Sequence, residues 1–197
     1  MKILGVHDGH NASACLVVDG KLVCAIAEER LSRRKHHYGF PKLAIEMVLK
    51  AGRISASQLD KVAMSTKTLP PAYFYTQRNA NFSIADYWKE QTDYWYPKLY
   101  KGEDPKYIEI FSHHVNLDEF PYDQSLIRDE KDWEGMWKAR VKHICQTLEI
   151  DETIISVHDH HKCHAFYGYV ACAKRNEPTL IYTMDGAGDG ANGTVSV

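Results

Sequence analysis

The chain has 197 residues, of which 44% are hydrophobic and 25% charged, and its formal net charge is -2. This composition excludes a disordered tail, a collagen and a small disulfide-stapled peptide, and it supplies enough apolar surface for one well-buried core. With no basic field, no apolar run of about 18 residues and no secretory leader, the chain reads as a cytoplasmic protein that binds neither nucleic acid nor membrane. Its five cysteines, odd in number and without a Cys-x-x-Cys pair, read as reduced thiols.

Residues 2–7 are apolar and extended, and Asp8-Gly9-His10-Asn11 is a turn signal. Ala12 to Val18 and Lys21 to Ala27 are two further strands joined by Asp19-Gly20, a strong hairpin signal. Pro41 opens a helix over 41–51 with Leu43, Ala44, Met47, Val48 and Ala51 on one face, and Gly52 ends it. Lys61 to Ser65 reads as a fourth strand. Residues 66–131 change character: tyrosines and tryptophans crowd in with few aliphatics between them. This stretch is an aromatic-rich insertion, either packed on itself or forming a wall for a ligand. Asp132 to Ile150 is a helix whose stripe from Trp133 through Met136, Val141 and Ile144 to Leu148 is core. A strand at Thr153 to Val157, a helix at Ala165 to Ala173, a strand at Thr179 to Met184, a glycine-rich turn and a return strand from Thr194 complete the chain. Alternating strands and helices make the class α/β. Because the chain stops inside a strand, it is expected to be the N-terminal piece of a longer protein.

Four constellations carry chemistry. In His158-Asp159-His160-His161-Lys162-Cys163-His164, His160 and His164 stand four apart, so a helix places both on one face, able to grip one metal ion. A zinc protease would carry Glu after the first His; His161 stands there, which disfavours that chemistry. Cys163 points off the histidine face. In Asp185-Gly186-Ala187-Gly188-Asp189-Gly190, glycines allow backbone N–H groups to approach an anion, and the aspartates can ligate a metal. Asp185 follows His164 by 21 residues, enough for one helix and one strand to bring it back. Two histidines and an aspartate form a mixed N/O site suited to iron(II) or zinc. His10, in the first turn, is a candidate general base near neutral pH. In Glu28-Glu29-Arg30-Leu31-Ser32-Arg33-Arg34-Lys35, Arg33 and Lys35 could meet a phosphate or carboxylate, although a charge run is usually a solvated face.

In this order the motifs resemble the O-carbamoyltransferase family of the nodulation and antibiotic carbamoyltransferases. The correspondence runs through His10-Asn11-Ala12-Ser13-Ala14, Glu28-Glu29-Arg30-Leu31-Ser32-Arg33-Arg34-Lys35, Phe40-Pro41, His160-His161-Lys162-Cys163-His164-Ala165 and Asp185 to Asp189. The resemblance implies an actin/sugar-kinase-like lobe, a mixed sheet with flanking helices, spanning residues 1–197. It implies iron(II), or else zinc, on His160, His164 and Asp185, with a further ligand from a second lobe. It implies His10 as base or carbamoyl-orienting residue; beside it, the residues themselves suggest a nucleotide or phosphate subsite at Gly186, Gly188, Asp189 and Gly190 and substrate contacts from Arg33 and Lys35. The implied reaction moves a carbamoyl group from carbamoyl phosphate, through a carbamoyl-adenylate made with ATP in a separate C-terminal domain, to the hydroxyl of a small-molecule or sugar acceptor. Asn11 stands where the family often has Asp, and His7, His158 and Asp189 are additional polar groups whose place at the metal is left open. Two other readings stand beside this one: transfer of a threonylcarbamoyl group to tRNA, which the near-neutral charge disfavours, and a non-catalytic metal- or nucleotide-binding lobe.

Overall fold

A computed structural model describes residues 1–172 and 177–197. Strands β1 (Lys2–His7), β2 (Ser13–Val18) and β3 (Lys21–Ala27) form an antiparallel meander. Asp19 and Gly20, both at positive φ (49° and 76°), close its second hairpin, as a turn matched to strand twist requires. Helices α1 (Glu28–Ser32) and α2 (Lys42–Gly52) lead into β4 (Lys61–Ser65), which lies parallel to β1. Between β4 and α6 (Trp133–Leu148) come α3 (Pro71–Tyr75), α4 (Ile84–Lys89), which runs on through π-helical stretches at Glu90–Trp95 and Pro97–Lys101, and α5 (Tyr107–Ile110). Strand β5 (Ile155–His158) then lies parallel to β4, giving a mixed sheet in the order β3-β2-β1-β4-β5. Helix α7 (His160–Ala171) and a separate hairpin of β6 (Ile181–Gly188) and β7 (Ala191–Ser196) follow. The α/β class and the mixed sheet expected from the sequence are both present.

Strand alternation decides where the core sits. Register aligns Leu16, Leu4 and Val62 in one cross-strand row and Ala14, Val6 and Met64 in the next, all pointing to one face. Ala44, Ile45 and Val48 of α2 and Val141 and Ile144 of α6 cover that face. The opposite face carries small residues, among them Gly5, Ser13, Cys15, Ala25 and Ala63, along an open groove of about 590 Å³.

Helix α2 starts in an unusual way. Pro41 at its N-cap has no side chain that can cap. Buried Glu28 reaches over from α1 instead and accepts the N–H groups of Leu43 (3.1 Å) and Ala44 (2.7 Å). A carboxylate at a helix N-terminus satisfies orphan donors and meets the positive end of the helix dipole.

The segment 66–131 packs largely on itself. Tyr94, Tyr107 and Phe111 form one buried cluster with Ala72. Phe74, Phe120 and Tyr122 form another with Tyr38 and with Met136 and Ala139 of α6. Trp88, Tyr96 and Tyr100 stay exposed.

Several boundaries differ from expectation, two of them at the candidate site. Helix α7 begins at His160, not Ala165, because the Asp159 side chain accepts the Lys162 N–H (2.8 Å) and caps it there. The end expected at Ala173 lies outside the described residues. Strand β6 runs on to Gly188, so the turn itself is Asp189-Gly190. Between the pairs Met184–Gly193 and Gly188–Ala191, four steps on β6 oppose two on β7. The surplus is a bulge at Asp185–Ala187, and bulges re-aim side chains.

Candidate metal centre

The parallel strands β1, β4 and β5 end together at His7, Ser65 and His158, and each is followed by a turn that bears polar groups. Ligands of open α/β sheets collect at such carboxyl ends. Helix α7 springs from β5 there. It puts His160 and His164 one turn apart, and the β6 bulge brings Asp185 to them. His160 Nε2 lies 2.6 Å from Asp185 Oδ2 and 3.2 Å from His164 Nε2, and His164 Nε2 lies 3.4 Å from Asp185 Oδ2. The three ligand atoms all fall within 4.8 Å of one another. The hydrogen bond from His160 holds the Asp185 carboxyl below the usual carboxylate range; backbone N–H of Gly186 (2.6 Å) assists against partial burial. Two imidazole nitrogens and one ionised carboxylate, converging and partly solvated, are a donor set that fits iron(II) or zinc.

The surroundings fix His160 from three sides. Its Nδ1 lies 2.9 Å from Thr66 Oγ1, which leaves Nε2 to face the cluster. Its backbone N–H donates to Asp189 Oδ2 (2.9 Å). Its ring lies on Gly188, where an added Cβ would come within 2.1 Å of the imidazole, so no other residue fits. Asp189 is a clamp between elements: Oδ1 accepts Lys67 N–H (3.0 Å), Thr68 N–H (2.8 Å) and Thr68 Oγ1–H (2.7 Å). Burial alone would raise its carboxyl, but these donors more than offset that and hold it low.

Thr66 itself sits at positive φ (65°), a costly conformation for a β-branched residue. Arg140 of α6 reaches its backbone carbonyl (2.9 Å) while pairing with Asp8 (2.9 and 2.5 Å), and Tyr122 donates to the same carboxylate (3.2 Å). Arg140 and Asp8 are 0% and 1% exposed. Burial would raise the Asp8 carboxyl, yet the guanidinium beside it keeps it below the usual range.

The remaining predicted residues are placed as follows. His10 follows β1, exposed, with its ring 5.5 Å from that of His36. Partial burial lowers its pKa, as do the neighbouring His36 and Arg78 charges, while Asp185 pulls the other way. It therefore stands within electrostatic reach of the cluster, neutral at neutral pH. Lys35 Nζ pairs with Glu29 (3.1 Å), whose other oxygen accepts the His36 N–H (2.9 Å), so Lys35 is linked to the His10 side. Arg33 ends α1 at φ 59° and is exposed. Gly186 turns its N–H onto Asp185, Gly188 lies under His160, and Gly190 closes the turn at φ 84°. His161, noted for standing where a protease has Glu, is buried, 3.0 Å from Thr183 Oγ1 and donating from Nε2 to the Ala191 carbonyl (2.9 Å). His7 spans Ser65 Oγ (2.8 Å) and the His10 carbonyl (2.9 Å), and His158 faces Ser156 Oγ (3.1 Å). Cys163 lines the groove of the bare sheet face. Thr66, Arg140 and Asp8 were not among the candidates, since each acts on a partner far away in sequence.

Comparison with known proteins agrees with the motif order. Residues 2–195 match the family described as "Carbamoyltransferase N-terminus". The chain belongs to the carbamoyltransferase N-terminal family. Within this family of carbamoyltransferase N-termini, it is similar to the nodulation protein NolNO of Sinorhizobium fredii, 26% identical over 188 residues, which cover 95% of this chain and 21% of that protein. A shorter stretch of 47 residues is 43% identical to the uncharacterized protein MJ1051 of Methanocaldococcus jannaschii, covering 24% of this chain and 9% of that protein. Another of 60 residues is 38% identical to the uncharacterized protein sll1178 of Synechocystis sp., covering 30% and 10%. The carbamoyltransferase N-terminal chain thus spans about a fifth or less of the length of these relatives. Among the described residues no helix is long and apolar enough to cross a membrane.

Proposed function

We propose that this chain supplies the metal-holding part of a carbamoyl-transfer site, within an actin/sugar-kinase-like lobe. The observation that carries the proposal is the convergence of His160, His164 and Asp185, with Nε2 of His160 freed for a ligand by Thr66 at Nδ1. These three residues would hold one divalent ion, iron(II) or alternatively zinc. Bound there, the ion would polarise the carbamoyl carbonyl and stabilise its developing negative charge. His10 would take the proton from the acceptor hydroxyl, a task that needs an imidazole neutral at working pH. Its lowered pKa provides that. Lys35 and Arg33 would present positive charge to the leaving phosphate side, with Gly186, Gly188, Asp189 and Gly190 shaping the turn beside it. The carbamoyl group would come from carbamoyl phosphate through a carbamoyl-adenylate made with ATP in another part of the full-length protein, and its transfer to a small-molecule or sugar hydroxyl would release AMP.

The test is metal content of the full-length protein purified without oxygen, beside His160→Ala/His164→Ala and His10→Ala. One iron per chain in the wild type and in His10→Ala, lost from the double variant, is expected. Carbamoyl transfer to hydroxyl acceptors should vanish in both variants. Undiminished metal in the double variant would remove the site; undiminished transfer in His10→Ala would remove the base.

A further inference from the structure

Outside this centre, the aromatic segment gathers a second set of metal-ligating groups. Asp86 lies in the first turn of α4, and His113 and His114 share a single 3-10 turn, Ser112–His114. His113 Nε2 is 3.3 Å from Asp86 Oδ1, and His114 Nε2 is 3.2 Å from Oδ2. One ligand atom from each of the three falls within 4.8 Å of the others. The two imidazoles lie side by side, centroids 4.1 Å apart.

One feature points to an ion beyond the ion pair, and a second is compatible with it. His114 Nε2 is buried, and despite its closeness to Asp86 it has no hydrogen-bond partner. A buried polar atom left this way costs about 1–3 kcal/mol, and native structures nearly always supply a partner. The spacing is compatible: the two imidazoles face different Asp86 oxygens at 3.3 and 3.2 Å, close to the roughly 3.3–3.5 Å between two ligands of a tetrahedral zinc. The ligands are held in place as well. Asp86 Oδ2 accepts from Ser83 N–H (2.8 Å) and Ser83 Oγ–H (2.7 Å) in a capping box. Phe82 stacks on the His114 ring, centroids 5.1 Å apart. Although burial opposes it, the Ser83 and His114 contacts keep the Asp86 carboxyl well below the usual range. It is therefore an anionic ligand at neutral pH.

We infer that Asp86, His113 and His114 form a second metal site, taking zinc or a similar divalent ion, that ties the start of α4 to the turn at Ser112–His114. Its role is structural: it closes the chain between Asp86 and His113 into a loop within the aromatic segment. His113, 54% exposed, marks the side open to a water ligand. The site shares no residue with the centre at His160, and its assignment does not rest on the proposed function.

Full-length protein stripped of metal is titrated with Co²⁺ without oxygen, and bound equivalents are counted with the visible spectrum of the ion. His113→Gln should bind one equivalent fewer than the wild type and lose a tetrahedral-type band. Because that ring is largely exposed, folding is not at stake. His160→Ala/His164→Ala should keep this band, and Zn²⁺ at a hundredfold excess over its Kd should raise the Tm of that variant. Adding His113→Gln to it should abolish the rise. Equal equivalents in the wild type and His113→Gln, or no Zn²⁺-dependent rise in Tm, would overturn the inference. Loss of metal from the His160 centre alone would bear on the proposed function and leave this inference standing.

Discussion

The sheet and the segment between β4 and α6 solve the burial problem in opposite ways. The sheet buries aliphatic rows under two helices and leaves its other face small and bare. Its fully buried charges, Asp8 and Arg140, join α6 to the ends of β1 and β4. The aromatic segment is helical where it is regular, with its longest run from Ile84 to Lys101, and has no strand. It relies on edge-on ring contacts such as Tyr94–Tyr107 (4.9 Å, 88°) around Glu90, which is 0% exposed and held by Arg78. The lesson is that both regions hide an ion pair, but only in the sheet does the pair lie one residue from the His160–His164–Asp185 cluster, through Thr66.

The largest expected effect breaks the sheet's pair. Arg140→Met leaves Asp8 buried without its cationic partner, with only the Tyr122 hydroxyl still donating to it, and should destabilise by about 3–5 kcal/mol in chemical denaturation, with Asp8→Asn added back recovering part. Linkage sharpens this prediction. Asp8 has a depressed folded pKa, so its contribution is present above the unfolded value near 3.8 and is lost as pH falls through the folded value. The gap between wild type and Arg140→Met should therefore narrow in acid, below about pH 4. A constant gap would assign the loss to packing.

The matching change in the aromatic segment is smaller and should stay local. Tyr107→Phe removes the hydroxyl that donates to Glu90 Oε1 (2.7 Å) while the two Arg78 bonds remain. A hydrogen bond to a charged group contributes about 1.5–3 kcal/mol. Hydrogen exchange should speed up in α5 and around Glu90 and remain slow in β1 and β4. Equal acceleration in both would show one cooperative unit.

Thr66→Val separates site from fold. Valine keeps the β-branched shape at the same positive φ and removes only the hydroxyl that faces His160 Nδ1. Loss of such a partner typically weakens metal binding about 10–100-fold. A weakened site with a nearly unchanged Tm is expected; unchanged affinity would show that Gly188 and Asp189 orient His160 without Thr66.

What could be read in the sequence follows from range. The β2–β3 hairpin was legible because Asp19-Gly20 states its turn locally, and the His160–His164 pair because a helix repeats every 3.6 residues. The return of Asp185 needed only one helix and one strand. Asp8 with Arg140 and Thr66 with His160 are 132 and 94 residues apart. No periodicity announces pairings of that length. The same holds for Asp189, whose acidic side chain in a glycine-rich turn suggested a ligand-facing role. Its oxygens are in fact directed at Lys67, Thr68 and His160. His161 illustrates the reverse: one position from a metal candidate, its ring is buried against the β6–β7 hairpin, with both nitrogens occupied by Thr183 and Ala191.

The smallest effect tests how tightly the two regions are joined at the surface. Arg34, just past α1, donates to Glu119 (2.6 Å) and to Asn81 (2.7 Å) in the aromatic segment. Glu119 is about half exposed, so water and salt screen the pair. A double-mutant cycle of Arg34→Ala and Glu119→Ala should give a coupling of about 0.2–1 kcal/mol that fades with added salt. Coupling of that size means the regions are held together by the apolar contact of Tyr38, Phe74 and Met136, with the ion pair adding little. A coupling several times larger would show instead that the α1 end orders the segment, and Arg34→Ala would then mimic Tyr107→Phe in hydrogen exchange.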